Sequence, residues 1–266
     1  MTTATGLAIR FLGSGNATSQ DLDNSSSVLE HSGSPLLLMD CGPTTVRNYA
    51  RQYNGGTPKA IFITHTHFDH IGGLEGLFYD NWNKCPDSEL VKLYVPAKIV
   101  SQLHGRIAEN SNVLAEGGAN FWDVFQLVPV GEQFWHADLR FSVFPVRHHE
   151  FQSAYGIALP GQYLYTGDTR PIPEVINRFA ACGELIFHDC ALHGNPSHTG
   201  VDELPISYRS DQLLRFVLYH YESRQAGEYL RQLGYRVAIP GESYPLGSTA
   251  ADKSADSAVR TPYSLS

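Results

Sequence analysis

The segment Thr64-His65-Thr66-His67-Phe68-Asp69-His70 places four side chains able to bind a metal ion within six residues, directly after the apolar run Ala60-Ile61-Phe62-Ile63. Such a run reads as a buried strand, and where an extended strand ends, alternate side chains point to opposite sides. His65 and His67 therefore share one side. Asp69 and His70, entering a helical turn, can address a second point beside the first. Imidazole together with carboxylate suits zinc and other borderline divalent ions, and two such ions about 3.5 to 4 Å apart form a clamp for hydrolysis. Water held between two divalent cations loses a proton near neutral pH, giving a hydroxide able to attack an electrophilic centre. Asp69, beside that water, can orient it as well as bind metal.

Several elements must carry these side chains. Residues 6–12, 26–31 and 35–40 read as strands, the last two joined by the turn-forming His31-Ser32-Gly33-Ser34. Thr44 or Thr45 can cap a helix over 46–52 that ends at Gly55-Gly56-Thr57-Pro58, before the strand at 60–63. The spacing of Ile71, Leu74, Leu77 and Phe78 predicts a helix over 71–80. A strand at 90–95 and a helix over 96–104 follow, and no element is assigned to 105–122. Strands are expected at 138–147, 155–159, 162–166 and 184–188, then helix 208–216, strand 216–219, helix 224–233 and strand 235–239. Meanders that give way to alternating strands and helices, twice over, suggest a helix-covered sandwich of two mixed sheets.

The histidine motif resembles the H-x-H-x-D-H signature of the metallo-β-lactamase fold superfamily, and further matches follow in chain order over about residues 6–240. They are Gly13-Ser14-Gly15, Asp40-Cys41-Gly42 at a strand's end, a histidine after a later strand, Tyr165-Thr166-Gly167-Asp168-Thr169, and His220 in Leu218-Tyr219-His220-Tyr221. The resemblance implies an α/β fold, the αββα sandwich of two mixed sheets flanked by helices, as one hydrolase domain over 1–246. It implies two divalent ions, zinc foremost and Mn2+ as the alternative. His65, His67 and His148 would hold one, Asp69, His70 and His220 the other, and Asp168 would bridge them. His148 and His149 are neighbours, of which only one can point inward from a strand. Motif precedent favours His148, while His149 shares the parity of Leu139, Phe141, Val143 and Pro145. Asp40 would accept a ligand histidine's second ring N–H and so fix its tautomer. Gly13-Ser14-Gly15 has Thr18 where a third glycine would complete a nucleotide-binding loop, so a tight turn is enough to explain it.

Ile186-Phe187-His188-Asp189-Cys190, followed by Pro196-Ser197-His198-Thr199-Gly200, looks like the tRNA 3′-processing and phosphodiesterase branch of that superfamily. This likeness implies Asp189 and His198 as orienter and general acid, a protonated imidazole held by a carboxylate. His188 would face the other way and be structural. His31, His104, His136 and His193 have no partner spacing and are assigned no function.

Composition limits the substrate. The 266 residues carry 19 Lys plus Arg against 27 Asp plus Glu, a formal charge of −8, which argues against a long nucleic acid held by phosphate neutralisation. The basic RNA-gripping arm of the tRNA-processing enzymes is not visible in 80–130, where Lys84 to Lys98 holds only three lysines. The resemblance to the phosphodiesterase branch, taken with this charge, implies phosphodiester hydrolysis on a small anionic substrate, a cyclic nucleotide being a candidate because some relatives cleave them. Tyr79, Trp82, Phe121 and Trp122 are candidates to stack a base, with core packing the expected use of at least half of them. The alternatives are an acyl hydrolase acting on a lactone, thioester or β-lactam, a tRNA 3′-processing endonuclease, or a metal-binding regulatory protein without turnover. The start MTTATGLAIRFLGSG is no signal peptide, and no apolar run reaches the roughly 18 residues of a membrane span, so a cytoplasmic protein is expected. Cys41, Cys85, Cys182 and Cys190 form no C-x-x-C pair and are expected to be buried thiols. A homodimer is expected by resemblance, with 80–125 reaching the partner's site, and 247–266 is expected to be a mobile or partner-contacting tail.

Overall fold

The computed structural model describes residues 6–82, 89–109 and 120–247. Cys85, Lys84 and the tail beyond Gly247 lie outside the described residues. The first sheet holds β1 (Leu7–Gly13), β2 (Ser26–His31), β3 (Ser34–Met39), β4 (Ala60–Phe62), β5 (Val91–Pro96) and β6 (Phe125–Val130). The second holds β7 (Gln133–His136), β8 (Leu139–Pro145), β9 (Tyr155–Leu159), β10 (Tyr163–Tyr165), β11 (Leu185–Asp189), β12 (Phe216–Tyr219) and β13 (Arg236–Val237). The last strand, β14 (Ser243–Pro245), returns to pair with β1, so each sheet has seven strands, in the orders β14-β1-β2-β3-β4-β5-β6 and β13-β12-β11-β10-β9-β8-β7. Pairing is antiparallel from β14 to β3 and from β7 to β10, and parallel from β3 to β6 and from β10 to β13. Flanking helices are α1 (Thr45–Gln52), α2 (Phe68–Ile71), α3 (Gly73–Trp82), α4 (Val100–Leu103), α5 (Pro173–Phe179), α6 (Leu204–Ser207), α7 (Ser210–Leu213) and α8 (Arg224–Gln232). This is the metallo-β-lactamase αββα sandwich, in which two mixed sheets are flanked by helices.

Period-two alternation sorts the central strands between two cores. Tyr163, Tyr165, Phe187, Val217 and Tyr219 face the space between the sheets. Leu164, Ile186, Phe216 and Leu218 face outward, beneath Ile176 of α5 and Ala226 and Leu230 of α8. Strands covered on both faces read in sequence as unbroken apolar runs, which is why β10, β11 and β12 were legible. Burying each such side chain contributes roughly 1.5–3 kcal/mol. Phe11 of β1 meets Phe187 at 5.5 Å, Tyr219 at 5.6 Å and Tyr165 at 6.5 Å between ring centroids. This one ring locks the two sheets together under Asp168, Asp189 and His220, which follow those three aromatics by three, two and one residues.

Three differences from the expected elements have local causes. Helix α1 lacks a side-chain cap, because Thr44 Oγ1 is engaged by Asn24, accepting from its backbone N–H at 2.9 Å. The helix expected at 71–80 becomes α3 at Gly73–Trp82, set off by the single turn of α2. The helix expected at 208–216 is only the single turn of α7, and α6 precedes it. Among the described cysteines Cys41 and Cys190 are buried, but Cys182 is exposed, contrary to expectation. Among the described residues no helix is long and apolar enough to cross a membrane.

Candidate metal centre

The site lies where strands of both sheets end. Asp40 follows β3 and the histidine motif follows β4, while the loops after β8 and β10 deliver His148 and Asp168, β11 ends on Asp189, and His220 follows β12. Two of these residues sit in left-handed backbone, Asp40 at φ 60° and His220 at φ 67°, a conformation costly for a residue with a Cβ and concentrated at functional sites. Each is held there by the backbone. Asp40 N–H donates to Phe62 O at 2.9 Å, and His220 N–H donates to Ser14 O at 2.7 Å, which is the use found for the Gly13-Ser14-Gly15 turn. Behind the motif, Cys41 N–H donates to His70 O at 2.7 Å and Gly73 N–H to Cys41 O at 2.8 Å. A Cβ on Gly42 would stand 1.9 Å from Asp69 O, so only glycine lets this strand end approach the motif so closely.

The structure gathers the seven ligand candidates into two groups that share Asp168: His65, His67, His148 and Asp168, and Asp69, His70, Asp168 and His220. Within each, the ligand atoms lie within 4.8 Å of one another. Asp168 Oδ2 stands 3.2 Å from Nε2 of both His70 and His220, 3.6 Å from His65 Nε2 and 3.8 Å from His148 Nε2. Asp69 Oδ2 is 3.3 Å from His70 Nε2 and 3.5 Å from His220 Nε2. His148 is the inward member of its pair: its Nε2 is 3.1 Å from His67 Nδ1, while His149 is exposed.

Each candidate-ligand imidazole but His67 has a partner near its far nitrogen. His65 Nδ1 contacts Thr64 Oγ1 at 3.0 Å, His70 Nδ1 Asp40 Oδ2 at 2.8 Å and His148 Nδ1 Ser197 O at 2.9 Å. His220 Nδ1 is 3.5 Å from Asp189 Oδ1. Thr64 Oγ1 itself donates to Asp40, 2.8 Å from Oδ2, so Asp40 orients His70 directly and His65 through Thr64. With Nδ1 protonated toward these acceptors, Nε2 is left bare and aimed inward. Thr64 was missed in the sequence; a hydroxyl directly before the motif was its only signal.

These residues fit divalent cations. His70 Nε2, His220 Nε2 and Asp168 Oδ1 are buried with no hydrogen-bond partner among the described residues, a state that costs about 1–3 kcal/mol per group unless a cation answers it. His67 Nδ1 is 3.0 Å from His65 Nε2 and 3.1 Å from His148 Nε2, close to the roughly 3.3 Å between nitrogens on tetrahedral zinc. Burial, then repulsion from neighbouring histidines, pushes His67 down to about 4 and His65 well below the usual histidine range, so both are neutral and competent to ligate. Burial opposes ionisation of Asp168, but His220 and His70 outweigh it and hold the carboxylate charged.

A third group, Asp189, His198 and His220, adjoins the second. Asp189 Oδ2 accepts from Thr169 N–H at 2.8 Å and from His198 Nδ1 at 2.9 Å. Burial works against a charged His198, yet the Asp189 hydrogen bond overcomes it and raises its pKa above the ordinary histidine value. His198 stacks on His220 at 4.9 Å and meets His148 edge-on at 4.8 Å, which turns its ring toward the ligands.

Other histidines are engaged elsewhere. His136 contacts Tyr94 OH and Leu36 O, both at 3.0 Å, and His104 stacks on Trp122. His188 is fully buried, its Nδ1 donating to Asp189 O at 2.6 Å and its Nε2 accepting from Tyr208 OH at 2.7 Å. Burial pushes its pKa down to about 4, against about 6.5 in the unfolded chain. The folded state then refuses a proton that the unfolded state takes up, so this group costs nothing above pH 6.5. As pH falls from 6.5 to 4 it removes about 3 kcal/mol of stability. Urea midpoints at pH 7 and pH 4.5 should show a shallower acid loss in His188→Gln than in the native chain, and equal losses would contradict this.

Beside the first group opens a cavity of about 600 Å3, lined in part by His65, His67, His148 and Arg106. None of Tyr79, Trp82, Phe121 and Trp122 lines it, and Phe121 is a core residue, so the stacking role expected for them finds no support there.

Comparison with known proteins bears on the family and the fold. The family profile of anti-Pycsar protein Apyc1 matches residues 7–242. The anti-Pycsar protein Apyc1 of Paenibacillus harenae is 27% identical over 245 residues, covering 89% of this chain and 98% of its own. That of Bacillus phage BSP38 is 26% identical over 263 residues, covering 90% and 98%. Among solved structures, a diphosphatase of the PhnP family superposes with a TM-score of 0.69 at 20% identity, over 91% of this chain and 100% of its own. The metallo-β-lactamase fold protein YhfI of Bacillus subtilis gives 0.68 at 12%, over 91% and 99%. Human tRNase Z, short form, gives 0.59 at 17%, over 91% and 98%. With its two histidine and aspartate groups joined at Asp168, and a profile match spanning every one of those residues, the chain belongs to the anti-Pycsar protein Apyc1 family and is a metal-dependent hydrolase of the metallo-β-lactamase fold.

Proposed function

We propose that the protein is a phosphodiesterase that hydrolyses a small phosphodiester, a cyclic mononucleotide being the substrate class that suits it, with two divalent ions, zinc foremost, as cofactors. The observation that carries this reading is the His198–Asp189 pair at 2.9 Å beside the ligand groups. An acyl hydrolase expelling a stabilised leaving group has less need of a held imidazolium than a phosphodiesterase expelling a ribose alkoxide.

When bound, the two ions would supply charge to stabilise the phosphoryl oxygens and to acidify water. The chain's own groups do the rest. The neutral imidazoles of His65, His67 and His148 and the carboxylates of Asp69 and Asp168 would hold the ions, and so set where a phosphate could sit. Asp69 stays ionised because His70 and His220 outweigh the effect of its burial, and it can accept a hydrogen bond from the attacking water. As the water oxygen, having lost one proton to solvent, bonds to phosphorus and one P–O bond breaks, His198 Nε2 gives its proton to the departing oxygen and is reprotonated from solvent afterwards. Asp189 holds the ring by Nδ1 throughout. The net charge of −8 supports a small anion over a pre-tRNA, since the positive potential would be confined to the site.

A chromogenic and nucleotide panel tests this: bis(p-nitrophenyl) phosphate and cyclic mononucleotides against a thioester, a lactone and nitrocefin, with Zn2+ or Mn2+ present. Turnover of the phosphodiesters, abolished by a chelator, is expected. Turnover of the acyl substrates alone would overturn the reading.

A further inference from the structure

The cavity of about 600 Å3 beside the first ligand group is walled by two segments that contribute no ligand. On one side, Ser101, Gln102, Gly105 and Arg106 present one helical face from α4 and the π-helical turn at His104–Ala108 that continues it. On the other, His149 and Glu150 come from the loop after β8. Asp168 does not line this space, so a phosphate held between the two ligand groups would lie at its floor, and whatever the phosphate carries would extend into it. The size suits one nucleoside, being within the range of small-ligand pockets.

Among the described residues Arg106 is the only Lys or Arg in the lining, and no hydrogen bond or ion pair among them occupies its guanidinium. Gly105 beside it adds no side chain, and the nearest atom to a Cβ there would be Glu109 Oε2 at 3.8 Å. The other wall groups are the hydroxyls of Thr66, Ser101 and Ser153, the Glu150 carboxylate, a Gln102 amide that both donates and accepts, and an exposed His149 ring 4.6 Å from that of His67. A guanidinium fork with a reversible amide and an aromatic wall suits a flat, acceptor-edged heterocycle better than a second phosphate, for which one would expect more than a single cation.

We propose that this cavity receives the nucleobase of the substrate and that Arg106 donates hydrogen bonds to its acceptor edge. The proposal rests on the phosphodiesterase reading and assigns Arg106 to substrate binding, apart from the chemical step. It is tested by KM and kcat for a cyclic mononucleotide, and by calorimetric Kd for the corresponding nucleoside monophosphate, in the native protein, Arg106→Ala and Arg106→Lys. In Arg106→Ala both KM and Kd should rise about 10- to 100-fold with kcat within about threefold, as for a lost charge-assisted hydrogen bond. Arg106→Lys should recover little, since an ammonium lacks the planar fork. Unchanged KM and Kd would overturn the proposal. So would an equal fall in kcat/KM on bis(p-nitrophenyl) phosphate, which has no base, or a change of oligomeric mass in light scattering, which would make Arg106 a contact between chains. Failure of the native protein to hydrolyse any phosphodiester would instead defeat the reading beneath, while nucleotide binding lost in Arg106→Ala would still support the cavity assignment.

Discussion

Asp168→Ala is expected to empty both metal positions at once. Its Oδ2 stands within 3.2–3.8 Å of four histidine nitrogens drawn from both groups, and its Oδ1 is buried without a hydrogen-bond partner among the described residues. No other candidate ligand belongs to both groups. Alanine removes the charge that balances the histidines and leaves each group with three ligands that no longer converge. Metal analysis should fall from about two ions per chain to below about half an ion, and kcat/KM on bis(p-nitrophenyl) phosphate by at least about a thousandfold. A second readout comes from folding. Ions that bind the native state alone raise its melting temperature by mass action, so added Zn2+ should stabilise the native chain and leave Asp168→Ala unmoved. Two ions retained in the variant would refute the bridging role.

His198→Ala is expected to separate metal binding from chemistry. His198 reaches the site through Asp189, and Asp189 also stands 3.5 Å from His220, a ligand candidate, so Asp189→Ala would disturb both functions while His198→Ala disturbs one. Metal content should stay at about two per chain, whereas kcat on a cyclic mononucleotide should fall about 100- to 10,000-fold, the usual contribution of a general acid. The loss should depend on the leaving group. A ribose alkoxide needs the proton; p-nitrophenolate departs without it, and the same variant should lose far less on bis(p-nitrophenyl) phosphate. Equal losses on the two substrates would mean that His198 serves binding or packing, and full activity would remove it from the mechanism.

Much of the centre was readable because chemistry and covalent proximity coincide. His65, His67, Asp69 and His70 are close by sequence alone, and Asp168, Asp189 and His220 each end or follow a strand whose apolar run was plain. His148 was harder. Strand parity pointed to His149, but β8 ends at Pro145 and the chain then bends, so alternation no longer applies three residues later. The missed strands β6, β7 and β14 are all sheet edges. Edge strands are exposed along one side and show weak patterns: β6 carries Pro129, which an edge tolerates, and Trp135 of β7 is 65% exposed. Thr64 is a single polar residue whose place in the site depends on a partner distant in sequence, Asp40, and no local pattern announces it.

The central claim is that two ions held jointly make this chain a hydrolase of small phosphodiesters. Titrating metal-free protein with Zn2+ while following hydrolysis of a 3′,5′-cyclic mononucleotide by phosphorus NMR tests it most directly. The account predicts that the cyclic phosphodiester signal converts to a monophosphate and that the rate rises to a plateau at two equivalents per chain. A plateau at one equivalent, or no monophosphate at any metal concentration, would contradict it.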